Sequence, residues 1–292
     1  MTVVTPSLNH GRFIRETIES VLAQTYPALE YFVIDGGSTD HTVEVLKEYG
    51  DRLCWVSEPD AGQAAAVNTG WRRGQGAIVA YLNSDDTYLP HAVERAVAAF
   101  RAHPEADVVY GEGHHVDAAG RVLDRYPTEP FRLPRLAETC FICQPAAFVR
   151  RRVVERVGYL DESLQFCMDY DLWIRLARVA TFVHLPDYLA TSRLHPDTKT
   201  LGQRARAHEE ILHTVRRHFG YVPPTWIYAH AHAVLGPRRR QTPWEHVRFI
   251  VRLIAISGAT LVRYNRGLSL SELVRWQGWL RQGWRRLRER RP

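Results

Sequence analysis

A pair of adjacent aspartates gives this sequence its clearest chemical signal. The apolar stretch AIVAYL (77–82) is followed at once by Asn-Ser-Asp-Asp (83–86), in which Asp85 and Asp86 are neighbours. Adjacent carboxylates repel each other, and each prefers water to the edge of a protein. The pattern indicates either a positive group bound by the pair or a solvated turn in which the aspartates cap the helix expected from His91.

Other expected strands also end in polar residues. The first 115 residues alternate short apolar stretches with stretches whose apolar residues recur every three or four positions. This alternation predicts crossover units and a mostly parallel sheet flanked by helices. Ligands bind outside the carboxyl ends of the strands in such sheets, so the strand-ending residues are expected on one rim. These residues are Thr5, Asp35, Ser57, Glu58, Asp85 and Asp86.

The pattern changes from about residue 116. A hairpin with Ala119-Gly120 in its turn is expected first, and a strand and a helix ending at Gly158 follow. The later elements expected are a helix in MDYDLWIRLARVA (168–180), short strands in TFVHLP (181–186) and YLATSRLH (188–195), a helix over 203–219, and helices after Pro223-Pro224.

Composition and cysteine content are ordinary for a soluble intracellular protein. Hydrophobic residues make up 45% and charged residues 24% of the 292. The four cysteines are too few for a disulfide framework, and the CxxC pair Cys140–Cys143 has no partner pair to complete a zinc site. We find neither a secretory leader nor an apolar stretch of about 18 residues. The expected location is cytoplasmic.

Charge is divided unevenly along the chain. The net charge is +6, but residues 238–292 hold fourteen arginines and three glutamates, a local balance of +11 that leaves −5 for the rest. In 270–287, apolar residues fall near one helical face and arginines flank it. The apolar residues are Leu270, Leu273, Val274, Leu280, Trp284 and Leu287. The arginines are Arg275, Arg281, Arg285 and, one position beyond this stretch, Arg288. Such a helix suits an anionic membrane surface at the inner face of the cytoplasmic membrane, or packing on the rest of the protein.

Four blocks resemble the family 2 glycosyltransferases, which have the GT-A fold. The blocks are VVTPSLNHGRFIRETIESVLAQTYPALEYFVIDGGSTDHT (3–42), EPDAGQAAAVNTG (58–70), YLNSDD (81–86) and LDESLQFCMDYDLWIRL (160–176), in the family's order. The resemblance runs from about Val3 to Lys199. It implies an α/β, GT-A type Rossmann-like sheet flanked by helices, with a helical C-terminal extension.

The resemblance also implies transfer of a sugar from a nucleotide-diphosphate sugar to an acceptor hydroxyl. Thr5 and Asp35 match the residues that hold the nucleoside. Asp85 and Asp86 match those that bridge the donor ribose and a divalent metal, Mn²⁺ or Mg²⁺, on the diphosphate. His195 stands where a histidine completes the metal or diphosphate site. A hard cation would offset the repulsion between the two aspartates and the charge on the leaving diphosphate.

An acidic motif at the start of a later helix supplies the general base in the family, which maps to Asp169. Asp169 and Asp171 diverge by about 200° around a helix, so only one of them can face the crevice, and spacing alone does not choose between them. Asn68, on the third crossover helix, suits a donor contact and a helix cap equally well. One-step attack assisted by such a base inverts the anomeric centre.

Three departures from the family pattern concern metal and acceptor. Asn83 stands where the family often has Asp, Met168 where it often has Glu, and CQPAA (143–147) where a glycine-bearing acceptor loop is common. The motif of processive polysaccharide synthases is absent, which favours addition of a single sugar.

We therefore expect a catalytic domain over 1–220, with a nucleotide-sugar half (1–115) and an acceptor half (116–220), and a basic helical extension over 221–292. A nucleotide-sugar donor of UDP, GDP or dTDP type and a glycan or lipid-linked acceptor are the expected partners, and nucleic acid is not. A sugar nucleotidyltransferase is the first alternative, but it needs a glycine-rich basic loop that TPSLNHGRF lacks. A catalytically idle carbohydrate-binding protein is the second.

Overall fold

The computed structural model describes residues 1–195, 198, 202–237 and 242–289, with their side chains described up to residue 281 except at Pro243. Its strands are β1 (Thr2–Ser7), β2 (Glu30–Asp35), β3 (Cys54–Ser57), β4 (Ile78–Tyr81), β5 (Thr87–Tyr88), β6 (Val108–Val116), β7 (Val122–Arg125), β8 (Ala147–Arg150) and β9 (Phe182–Arg193). Its helices are α1 (Ile14–Leu22), α2 (Thr42–Lys47), α3 (Gln63–Arg73), α4 (Ala92–Ala102), α5 (Leu133–Glu138), α6 (Arg151–Val157), α7 (Met168–Leu176), α8 (Arg204–Phe219), α9 (Pro224–Leu235), α10 (Pro243–Asn265) and α11 (Leu270–Glu289).

The chain divides into two compact units. The first comprises Met1–Leu136 and Cys140–Leu201, and the second Ala137–Thr139 and Gly202–Pro292. Helix α8 thus falls in the second unit, ahead of the boundary expected at residue 220.

The first unit contains the sheet, whose described strands lie in the order β3-β2-β1-β4-β8-β6-β9-β5, with β7 paired to β6. Strands β3, β2, β1 and β4 are parallel, as the alternating sequence pattern predicts. Beyond them the sheet is mixed, because β8 runs antiparallel to both β4 and β6 while β9 runs parallel to β6. The α/β class and the flanking helices are confirmed.

Apolar spacing explains the crossover helices. Ile14, Ile18 and Val21 on α1 are buried at the predicted spacing, and they join Val3 and Val33 of the sheet in one core cluster. Removing such side chains from water supplies most of the stabilisation of a packed layer. These helices fix the strand ends from which the polar residues extend.

Strand β9 is continuous through Pro186, although the sequence predicts two short strands, over 181–186 and 188–195. Its pairing with β6 shifts from Tyr110–His184 to Glu112–Tyr188. The proline therefore lies in the irregular stretch between these pairs, where a missing N–H costs no ladder hydrogen bond. The strand can then carry its C-terminal residues to the rim of the sheet.

The second unit is helical and has its own apolar core. Leu212, Ile227, Leu261 and Trp276 of α8, α9, α10 and α11 are buried in one cluster. The described residues include no helix with the length and hydropathy needed to cross a bilayer. Helix α11 turns Trp276 inward.

The predicted apolar face of α11 points outward at its first turns. Leu270, Leu273 and Val274 are 77%, 46% and 61% exposed. Trp284 and Leu287 of the same predicted face lie beyond the described side chains.

Candidate active site

A cleft of about 680 Å³ opens at the carboxyl end of the parallel strands. Its walls come from the end of β1, the start of α3, the turn after β4, the start of α7 and the end of β9. Asp85, Asp86 and Asp169 all line it, although 83 residues separate the second and third of them in the sequence. Of the strand-ending residues expected on one rim, Asp85 and Asp86 are among the described lining residues, and the other four are not.

The two adjacent aspartates are buried in this cleft. The backbone N–H of Asp86 donates to the Asn83 carbonyl (3.0 Å), which closes the turn. The Asp86 carboxylate accepts from the backbone N–H of Arg193 (2.8 Å) and from the Asn83 side-chain amide (3.2 Å). Asp85 pairs with Nε2 of His195 at 3.1 Å. The pair does not cap the next helix, because β5 intervenes and α4 has no side-chain cap.

The surroundings of the turn disfavour the charged form of the Asp86 carboxyl. Burial raises the pKa of Asp86 well above its ordinary value, and the charge of Asp85 raises it further. Hydrogen bonds from Arg193 and Asn83 offset only part of this effect. Two adjacent carboxylates that are buried from water would be stabilised in their charged forms by a positive charge between them.

The residues present fit a metal that is shared with a diphosphate. Asp85 and Asp86 line the cleft and offer carboxylate oxygens, whereas His195 is buried outside the described lining with its Nε2 3.1 Å from Asp85. No group of three or more His, Cys, Asp or Glu side chains is arranged to hold a metal by itself among the described residues. Mg²⁺ commonly takes only one or two carboxylates and completes its shell with substrate phosphates and water.

The structure separates the two candidate bases on α7. Asp169 lies in the first turn of the helix and faces the cleft. Asp171 is fully buried, and its carboxylate accepts from Nε of Arg175 at 2.7 Å. The helical divergence expected between them is observed, and Asp171 has a structural role.

Thr5 and Asp35 are buried and are not among the described cleft-lining residues. The Thr5 hydroxyl lies 3.0 Å from the Tyr31 hydroxyl. Asp35 accepts from the backbone N–H of Ser38 (2.9 Å) and from the Ser57 hydroxyl (2.6 Å). Asp35 thus ties the ends of β2 and β3 together, and the nucleoside contacts expected for both residues stay predictions.

Asn68 is buried on α3 and is also outside the described lining. Its amide donates to the Leu160 carbonyl (2.9 Å) and to Glu162 (2.8 Å), while its oxygen accepts from the Leu160 N–H (3.0 Å). These bonds hold the segment that leads into α7 and Asp169. The donor contact stays a prediction.

An amide network beside Asp86 was not expected from the sequence. Gln63 donates to Asn83 (2.7 Å), the Asn83 amide also lies 3.3 Å from the Gln144 side-chain oxygen, and Gln144 donates to the Tyr81 carbonyl (2.8 Å). In the sequence, Asn83 stands out only as a departure from the Asp that is common in the family at this position. An amide can donate to Asp86, whereas a third carboxylate at this position would add repulsion.

Two basic residues of the cleft were also missed. Nδ1 of His10 lies 2.7 Å from the Ser84 hydroxyl, and Arg193 is buried beside the aspartate pair. The one sequence feature that could indicate Arg193 is its position two residues before His195 in TSRLH (191–195). Its partners lie more than 70 residues away in sequence, so no local pattern marks it.

The two cysteines of the CxxC pair, Cys140 and Cys143, are not reactive thiolates. Burial raises the pKa of Cys140 and of Cys143, and the charge of Asp169 raises that of Cys140 further. Both are therefore thiols rather than thiolates at neutral pH, and neither forms a disulfide.

Residues 2–158 match the family described as Glycosyl transferase family 2, which is more than half of the chain. The chain belongs to this family. An uncharacterized glycosyltransferase of Rickettsia prowazekii (strain Madrid E) is 29% identical over 208 residues, covering 67% of this chain and 64% of that protein. The chain thus spans less than two thirds of this relative's length.

Solved structures show the fold to be GT-A. Staphylococcus aureus TarS 1–349 in complex with UDP-GlcNAc has a TM-score of 0.60 at 18% identity, covering 89% of this chain and 84% of that one. The mannosyltransferase PcManGT from Pyrobaculum calidifontis, in complex with GDP-Man and Mn²⁺, has a TM-score of 0.58 at 20% identity, covering 98% and 84%.

Proposed function

We propose that this chain is an inverting glycosyltransferase that moves a single sugar from a nucleoside-diphosphate sugar to an acceptor hydroxyl on a glycan or lipid-linked glycan. The observation that carries the proposal is that Asp85, Asp86 and Asp169 line one cleft in a member of glycosyl transferase family 2. The first two would serve the leaving diphosphate and the third the nucleophile.

The donor end of the cleft is the aspartate turn. Asp85, Asp86 and His195 would hold a divalent metal, Mn²⁺ or Mg²⁺, and that metal would neutralise charge on the departing diphosphate. Thr5 and Asp35 would support the nucleoside behind it. The relatives solved with UDP-GlcNAc and with GDP-Man and Mn²⁺ support a donor of this class.

The acceptor end is Asp169. Its carboxylate would take the proton of the acceptor hydroxyl while that oxygen bonds to the anomeric carbon, and the bond from this carbon to the donor phosphate oxygen breaks on the opposite face. A positioned base contributes roughly 10²–10⁴ in rate. Because there is one displacement, the anomeric configuration inverts.

Asp169→Asn tests the base. We expect kcat to fall by about 10²–10⁴ while donor affinity changes little, because the amide keeps the shape but cannot take a proton. The measurement is release of nucleoside diphosphate with a glycan acceptor, alongside donor titration. Asp187→Asn, which alters an exposed pair with Arg95, is the matched control. Unchanged turnover of Asp169→Asn would reject the assignment.

Asp86→Asn tests the metal assignment. We expect donor binding to lose its Mn²⁺ dependence, since the variant replaces a charged oxygen ligand by a neutral amide. Calorimetric titration of UDP, GDP and dTDP with and without Mn²⁺ measures this, and a thermal-shift screen of the corresponding sugars identifies the base. An Mn²⁺ dependence equal to that of the unaltered chain would contradict the assignment.

We further propose that α10 and α11 bind an anionic membrane surface, near lipid-linked acceptors. The exposed Leu270, Leu273 and Val274 supply apolar area, and the positive charge of the segment complements anionic headgroups. Replacing all three by Gln should abolish co-sedimentation with phosphatidylglycerol vesicles. The control replaces the exposed Val122 and Leu123 of β7 by Gln. Equal loss in both variants, or in neither, would reject this surface.

A further inference from the structure

The side chain of Arg193 bonds around the aspartate turn without pairing with its carboxylates. Arg193 is only 3% exposed. Its Nε donates to the backbone carbonyl of Asp85 (2.8 Å), and one terminal nitrogen donates to the Ala118 carbonyl (3.2 Å). Only its backbone N–H reaches the carboxylate of Asp86 (2.8 Å). The guanidinium therefore fixes the turn through main-chain oxygens.

Glu16 takes the charged end of this arginine. The other terminal nitrogen of Arg193 forms an ion pair with Glu16 on α1, whose side chain is 59% exposed. The guanidinium also lies over the ring of Phe13, 5.0 Å from its centroid. These contacts engage the guanidinium with Glu16 and Phe13, and it forms an ion pair with neither Asp85 nor Asp86 among the described residues.

We infer that Glu16 and Arg193 form one positioning device for the proposed cation site: Arg193 shapes the Asp85–Asp86 turn, and Glu16 keeps its guanidinium from competing with the metal for the carboxylates. The inference rests on the proposed function of the turn. A guanidinium satisfies a carboxylate very well, so an arginine this close needs a second acid if the aspartates are to stay open to a cation.

A positioning role of Arg193 and an effect of its charge alone predict opposite changes in cation affinity when Arg193 is replaced. Removing the positive charge of Arg193 would tighten cation binding if the residue acted only through its charge. If it positions the turn, Arg193→Gln weakens that binding. Glu16→Gln also weakens it, since the released guanidinium can turn to the aspartates. Partners that orient metal ligands are commonly worth 10–100-fold in metal affinity, so we expect about a tenfold loss in each variant.

The experiment measures Mn²⁺ binding by electron paramagnetic resonance in the presence of saturating UDP, GDP or dTDP, whichever the unaltered chain binds. Variants are Glu16→Gln, Arg193→Gln and the double variant. Because both residues act through one guanidinium, the double variant should bind Mn²⁺ no more weakly than Arg193→Gln alone. Nucleotide binding in EDTA should be unchanged.

Glu48→Gln is the matched control, because Glu48 forms an exposed ion pair with Arg15 of the same helix α1. It removes the same charge and should leave Mn²⁺ affinity unchanged. If Glu16→Gln binds Mn²⁺ as tightly as Glu48→Gln does, the positioning role of Glu16 and Arg193 is rejected, while the proposed cation site is not. Absence of Mn²⁺ binding by the unaltered chain with every nucleotide overturns the cation site and the device together. Glu16→Gln alters a mostly exposed side chain, so it tests the device even if Arg193→Gln does not fold.

Discussion

Single residues two positions apart on one helix have different roles in this protein. Asp169 faces the cleft, whereas Asp171 is buried against Arg175. The sequence shows that they must diverge, but only burial shows which of them faces solvent.

Asp171→Asn should therefore destabilise the fold. Asp171 is fully buried while Arg175 is 20% exposed, so replacing the carboxylate by an amide removes a charge-assisted hydrogen bond at a cost of about 1–3 kcal/mol. Urea denaturation of the full chain measures the loss. Asp169→Asn is the control and should keep its unfolding midpoint, and equal midpoints for the two variants would contradict the structural role of Asp171.

The sequence predicts the residues that belong to recognisable motifs. It does not predict the residues that act through partners far away along the chain. Asp85, Asp86 and Asp169 stand at recognisable strand and helix ends. Arg193, in contrast, reaches Glu16 across 177 positions. Hydrogen-bond geometry over such separations has no local signature in one sequence.

Among the elements, the parallel half of the sheet follows directly from alternating periodicity, because crossover units enforce right-handed parallel pairing. The antiparallel insertion of β8 between β4 and β6 does not, since either direction suits a buried strand. The sequence predicts two short strands over 181–186 and 188–195, but the structure has one strand, because the irregularity in pairing accommodates Pro186.

Gly111 should be essential to that irregularity. A methyl group there would lie 2.5 Å from a Leu189 side-chain carbon and 2.7 Å from the Asp187 carbonyl oxygen. Gly111→Ala should cost about 1–3 kcal/mol in unfolding free energy, as overpacking of a core does. Gly278→Ala adds the same methyl where nothing lies within 4 Å, and it should not destabilise. Chemical denaturation compares them, and equal stability would refute the crowding.

For the whole molecule, acid sensitivity should include a contribution from the helical unit. Burial lowers the pKa of His208 on α8 from 6.5 to about 4, with Arg204 of α8 and His230 of α9 adding to the effect. The folded state keeps this imidazole neutral while the unfolded chain takes up a proton below pH 6.5. The contribution of His208 to stability is thus full above about pH 6.5 and is lost as the pH falls towards 4.

His208→Gln should reduce this dependence. Thermal unfolding at pH 7.5 and pH 5 is the measurement, and the variant should show a smaller difference in Tm between the two. His103→Gln, at an exposed histidine of the first unit, is the control and should keep the full difference. A difference in His208→Gln as large as in the unaltered chain would refute the assignment.

The order in which the chain is made has a consequence for the acidic turn after β4. Its hydrogen-bonding partners Arg193 and His195 follow it by 107 to 110 positions, and the family-matching segment 2–158 ends before them and before Asp169. A nascent chain of that length would lack the hydrogen bonds that Arg193 and His195 make to the turn, and would keep the local bonds between Asn83 and Asp86. If the turn binds the donor as proposed, a chain that ends before β9 should not bind the donor.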